Sequence, residues 1–222
     1  MSVSARSSEP SLGQMVAGVT EQVSSLVKLQ LELAQSEIKQ QVKEGATGGG
    51  MAAAWYANRG AVAEAQVELS HYDQWHFDNP TMDQVRQTQN LDEAQGWFAA
   101  ALALDQVQPT ARQRLAAIEL ARGQYAAALD HLQALWGAGW RDAVTRQLLG
   151  DAYVANGQME AAVEVVRGLP WAEARLEGQA WSRYWVNGDF RRAAEAWAAV
   201  VQLNPGNTGA IAQQAEAERR GQ

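Results

Sequence analysis

Three stretches of this chain align without gaps: Arg122-Gly123-Gln124-Tyr125-Ala126-Ala127-Ala128, Asn156-Gly157-Gln158-Met159-Glu160-Ala161-Ala162 and Asn187-Gly188-Asp189-Phe190-Arg191-Arg192-Ala193. Gly123 and Gly157 are 34 residues apart, and Gly157 and Gly188 are 31 apart. Each glycine lies between two helical stretches, where a positive φ closes the first helix. Five residues on, each stretch carries an alanine (Ala128, Ala162, Ala193), small enough to let the second helix lie close to the first. Leu115 and Leu149 precede the small residues Ala116 and Gly150, which stand seven before their glycines, and Tyr153 and Tyr184 stand four before theirs. Trp181 occupies the third small position, so the last hairpin is expected to pack more widely. Each helix pair leaves an apolar face that only a stacked neighbour covers, so several units are needed together.

Working outward, Leu91-Asp92-Glu93-Ala94 and Trp97 to Asp105 read as an earlier, degenerate unit, and Leu203-Asn204-Pro205 closes the last one. Residues 207–220 form an Ala/Gln/Glu/Arg helix with few large apolar residues, suited to a terminal cap with a wet outer face. A further helix is read from Trp55 to Tyr72, followed by a loop holding His76-Phe77-Asp78-Asn79 and a short helix starting at Pro80. This insertion would separate the two helices of a first, irregular hairpin.

The pattern resembles tetratricopeptide repeats from about residue 91 to 222. Glu119 departs from it where an aromatic is usual, and Gly168-Leu169-Pro170-Trp171 shortens one junction by three residues. The resemblance implies antiparallel helix pairs stacked into a right-handed α-solenoid with a concave groove. The expected fold is therefore all-α, a solenoid of helix hairpins over 51–222 preceded by one long amphipathic helix.

That preceding helix is read over 11–44. Leu12, Val16, Val19, Val23, Val27, Leu31, Ala34, Ile38 and Val42 step by three or four residues, placing them on one helical face. The mean step of about 3.75 is nearer a straight helix than a heptad repeat. Such a stripe needs cover from the second module, another copy or a membrane surface. Residues 1–10 are Ser-rich and expected to be disordered, and the glycine-rich stretch 45–50 reads as a hinge. All three lysines precede this stretch and all nine tryptophans follow it. Ser11-Leu12-Gly13, Ser24 to Lys28 and Leu31 to Lys39 resemble the cytoplasmic start of the actinobacterial phage-holin-like membrane proteins. In that family a Gly/Ala-rich segment leads into membrane spans, whereas here Met51-Ala52-Ala53-Ala54 leads into Trp55-Tyr56-Ala57-Asn58-Arg59. Pore formation is therefore not implied.

Composition narrows the chemistry. The 222 residues are 47% hydrophobic and carry a net charge of −7, against the basic field that nucleic-acid binding needs. No cysteine is present, which removes disulfides, thiolate nucleophiles and the usual structural zinc site. No run of 18 apolar residues occurs, and a cytoplasmic protein is expected.

No phosphate cradle, nucleophile elbow or H-E-x-x-H pattern is found, so no catalysis and no cofactor are expected. His71, Asp73, His76 and Asp78 form the one metal-like cluster, but its two histidines share no helical face, and a polar junction is the favoured reading. Ordinary packing is likewise favoured for the tryptophans. Trp97, Trp181 and Trp197 are read as core, and Trp136, Trp140 and Trp171 as plugs beside turns. The groove would be lined by the first helices of successive hairpins, at Gln113, Ala117, Gln147, Asp151, Arg175, Ser182 and Trp185. Clamps for a peptide's terminal carboxylate in this fold use Lys and Asn at such places. Gln113, Gln147, Ala117 and Asp151 replace them here, so a mixed polar and aromatic segment is expected instead, with an acidic group for Arg175. The expectation is a non-enzymatic scaffold for a protein or peptide partner, with self-association through 11–44 as a further role. The alternatives are a peripheral membrane adaptor anchored by the N-terminal amphipathic helix, or a fused or truncated chain whose N-terminal helix mediates self-association.

Overall fold

The structure is a computed structural model that describes residues 48–71 and 80–222. The helix read over 11–44, the start expected to be disordered over 1–10, and residues 45–47 of the expected hinge lie outside the described residues. Among the described residues there are ten α-helices and no strand. They are α1 (Gly48–Ser70), α2 (Met82–Thr88), α3 (Asp92–Leu104), α4 (Pro109–Ala121) and α5 (Tyr125–Gly137). Then come α6 (Ala143–Ala155), α7 (Met159–Val166), α8 (Ala172–Gln179), α9 (Phe190–Leu203) and α10 (Thr208–Arg220), with α8 running on as a π-helical turn over Ala180–Trp185.

The glycine punctuation acts as the sequence reading requires. Gly123, Gly157 and Gly188 have φ of +76°, +74° and +75°, each just after a helix and before the next. Ala128, Ala162 and Ala193 are fully buried, so the second helix of each pair lies close against the first. Gly150 is packed against Val166, leaving no room for a side chain. Consecutive helices of the glycine-marked part pack on one another: α4 on α5, α5 on α6, α6 on α7, and α9 on α10. Direct α4–α6 and α7–α9 contacts join one pair to the next. The apolar interior is accordingly serial. One cluster centres on Phe98 and Ile118, a second on Leu132 and Leu149, and a third on Val163, Tyr184 and Trp197.

Two boundaries differ from the sequence reading. Gly48, Gly49 and Gly50 are already helical, so the hinge expected over 45–50 does not extend to them, and α1 starts well before Trp55. The reason is packing: Ala53, Ala57 and Gly60 bring α1 against α3, and a Cβ on Gly60 would lie 2.6 Å from the Phe98 ring. This α1–α3 pair is the irregular first hairpin, with α2 between its halves. The short helix α2 begins at Met82 rather than Pro80, because Thr81 and Gln84 form a reciprocal capping box. Thr81 Oγ1 accepts from the Gln84 N–H at 3.2 Å, and Gln84 Oε1 accepts from the Thr81 N–H at 2.7 Å.

The insertion is fastened by buried charge. Glu64 is fully buried in α1 and accepts a hydrogen bond from Arg86 Nε of α2 at 2.8 Å, with Arg114 of α4 3.6 Å away. Arg86 also lies 3.1 Å from Glu68, whose carboxyl burial pushes above the usual range against the pull of Arg86. Arg122 at the end of α4 donates to the carbonyls of Arg86 and Gln89 and to Gln95 Oε1. Four donor–acceptor links, from Arg86 to Glu64 and Glu68 and from Arg122 to the carbonyls of Arg86 and Gln89, thus hold α2 where it borders the cavity described next.

Candidate functional site

A cavity of about 820 Å³ opens between α2, α4, α6 and α8. The first helices of successive pairs supply its floor. Ala117 and Ala121 come from α4, Gln147 and Asp151 from α6, and Ala174, Arg175 and Gly178 from α8. Ser182 and Arg183 come from the π turn, while Thr81, Met82, Asp83 and Arg86 form a rim from α2. Small residues on α4 and α8 leave the space, and α6 and α8 meet largely through side chains.

The central contact is a fork. Arg175 Nε donates to both oxygens of Asp151, at 2.9 and 3.0 Å, and Nη2 donates to Oδ2 at 2.5 Å. Gln179 Nε2 donates to the same carboxylate. Burial pushes the Asp151 carboxyl above its usual range, against the pull of Arg175 and Gln179, while the Asp151 bond pushes Arg175 up. A carboxylate with this little water is held in place by its partners, and each partner is fixed in turn. Nearby, the Tyr184 hydroxyl donates to the Val154 carbonyl, a second link from the π turn to α6.

Of the residues singled out by sequence, Ala117, Gln147, Asp151, Arg175 and Ser182 come together in this cavity. Gln113 does not line it, because its amide donates to Thr145 Oγ1 at 2.8 Å and to Asp142 Oδ1 at 3.3 Å at the start of α6. Trp185 does not line it either. Its ring stacks on Trp181 at 5.7 Å, meets Phe190 edge-on at 5.3 Å and has the Arg220 guanidinium 5.0 Å above it.

The π turn explains this displacement. The Val186 N–H bonds the Trp181 carbonyl at 3.0 Å, an i→i+5 bond that inserts one extra residue into the helix. Ala180, fully buried, stands where Leu115 and Leu149 are buried in the earlier pairs, whereas Trp181, at the place of Ala116 and Gly150, is turned out to 49% exposure. Where the sequence suggests that Trp181 widens the hairpin, the helix changes register and turns Trp181 outward. Tyr184 keeps its buried position, and Arg183, which sequence reasoning passed over, faces the cavity. A bulky residue at an otherwise small position was the signal available for it.

The other tryptophans divide similarly. Trp197 is buried, Trp97 is half-buried against Trp55 and Tyr56, and Trp171 lines the cavity. Trp136 is covered by Arg141 at 3.4 Å, and Trp140 is exposed. His71 ends α1 with Nδ1 2.8 Å from the Val67 carbonyl, while Asp73, His76 and Asp78 lie outside the described residues. Among the described residues no group of three or more His, Asp or Glu side chains is placed to hold a metal ion. No helix among them is long and apolar enough to cross a membrane.

No curated protein matches this chain. A family model described as putative actinobacterial Holin-X, holin superfamily III, matches residues 13–57. That span is about a fifth of the chain, covers the stretch read as holin-like except for Ser11 and Leu12, and ends inside α1, short of the glycine-marked pairs. The chain is thus similar to that family at its start, and the similarity runs through Gly48–Gly50 into the helix that packs on α3.

Proposed function

We propose that this protein is a non-enzymatic interaction scaffold that holds a peptide or helix in the groove of a tetratricopeptide-like solenoid. The observation that carries the reading is the cavity across α4, α6 and α8. It is large, open along several pairs, and floored by small residues beside a fixed Asp151–Arg175 pair. A surface of this kind offers a peptide both polar partners and apolar cover, with little ordering cost to the receptor. The Leu203-Asn204-Pro205 ending and the 34-residue step support the solenoid assignment.

Photo-crosslinking in the cell of origin tests this. A photoreactive residue at exposed Ala174 in the groove should yield a discrete adduct, and one at exposed Ala127 on α5 should not. Adducts from both positions, or from neither, would end the groove reading.

A second reading rests on the family match over 13–57: a peripheral adaptor held on a membrane surface by the stripe from Leu12 to Val42. Flotation of the full chain with anionic vesicles, lost on Leu31→Asp, would support it. Failure of the unaltered chain to float would remove it.

A further inference from the structure

Three arginines and two aspartates border the groove, in a protein whose net charge is −7. Two of the arginines are already engaged. Arg86 is held by Glu64 and Glu68, and Arg175 by both oxygens of Asp151. Arg183 differs. It forms no ion pair among the described residues, and its Nε is buried with no hydrogen-bond partner among them. Its guanidinium lies 4.8 Å above the Tyr125 ring, which orients the planar group without using its donors. The neighbouring Asp151 carboxylate already accepts from Arg175 and Gln179.

Resting on the groove reading above, we infer that Arg183 is the docking point for an acidic side chain of the bound segment, and that the π turn exists in this chain to present it. A planar, oriented guanidinium with unused donors matches a carboxylate bidentately. The expectation from sequence gives this task to Arg175, but that residue's Nε and Nη2 are already bonded to Asp151. Arg183 therefore sets specificity by charge, while Asp151–Arg175 fixes the floor beneath it. A basic segment is disfavoured by the same cation.

Selection of a displayed random twelve-residue peptide library on the full chain tests the assignment. Selected peptides should be enriched in Asp and Glu and should be excluded by Ala174→Trp, which fills the groove at an exposed position. Arg183→Ala should weaken them about tenfold, the value of one charge-assisted contact, and Arg183→Lys should recover part of it. Arg183→Glu should redirect selection to Lys- and Arg-bearing peptides, a change that a merely structural role would not produce. Thermal unfolding by circular dichroism checks that each variant is folded. Groove-blocked peptides with no acidic enrichment, or with affinity indifferent to Arg183, would overturn this inference while leaving the groove. Peptides that ignore Ala174→Trp, or no selected peptides at all, would overturn both.

Discussion

In α6, Gly150 lies against Val166 with no space for a side chain, and Asp142 caps the helix start with its carboxylate. In α8 the corresponding small position in the sequence is Trp181, and the helix starts at Trp171 with no side-chain cap. Yet Trp181 does not crowd the interior, because in the π turn it is half exposed while Ala180 beside it is fully buried. A bulky residue at a small position can thus be accommodated by backbone register. The change of register re-aims some of the side chains before the turn at Gly188, while Ser182 and Tyr184 keep their places. Trp185 leaves the groove and Arg183 enters it.

The largest expected break is at α6. Gly150→Leu forces a side chain into the Val166 contact and should cost about 3 kcal/mol in denaturant unfolding. Ala180→Leu tests the buried residue beside Trp181 and should cost about 2 kcal/mol, since Ala180 is fully buried. Asp142→Ala removes hydrogen bonds to the Val144 and Thr145 N–H groups and should cost about 1 kcal/mol.

The Asp142 effect has a pH signature of defined sign. Burial would raise this carboxyl, but bonds from Thr145 and Val144 outweigh it and hold the folded pKa below the usual value near 3.8. A depressed folded pKa means the cap's contribution is complete above the usual value and fades as pH falls through the folded one. The stability gap between the parent and Asp142→Ala should therefore close only under strongly acid conditions. Gly178→Ala sharpens the comparison from the other side. A Cβ there meets nothing within 4 Å, in contrast to Gly150, so the substitution should stabilise α8 by about 0.5–1 kcal/mol.

What could be read from sequence follows from how local each cause is. Positive φ at Gly123, Gly157 and Gly188 is a property of single residues in a repeated context, and Asn207 caps α10 by an equally local bond to Ala210 N–H. The groove lining at Ala117, Gln147 and Asp151 follows from helical register wherever that register is unbroken. The reading fails at Trp181 because a π turn has no residue signature beyond misfit; Ser182 still lines the groove, but Trp185 does not. The placement of α2 was equally hidden. Its anchor is Glu64, a carboxylate in the middle of α1 that finds Arg86 22 residues away. Nothing in the local pattern distinguishes such a carboxylate from a solvated one.

The decisive measurement is the unfolding free energy of Ala180→Leu set beside that of Trp181→Leu. A π register predicts a loss of about 2 kcal/mol at Ala180 and under about 1 kcal/mol at Trp181, whose ring is half exposed and loses chiefly its stacking on Trp185. The reverse order would mean that Trp181 faces inward on an unbroken helix, and Arg183 would then have no place in the groove.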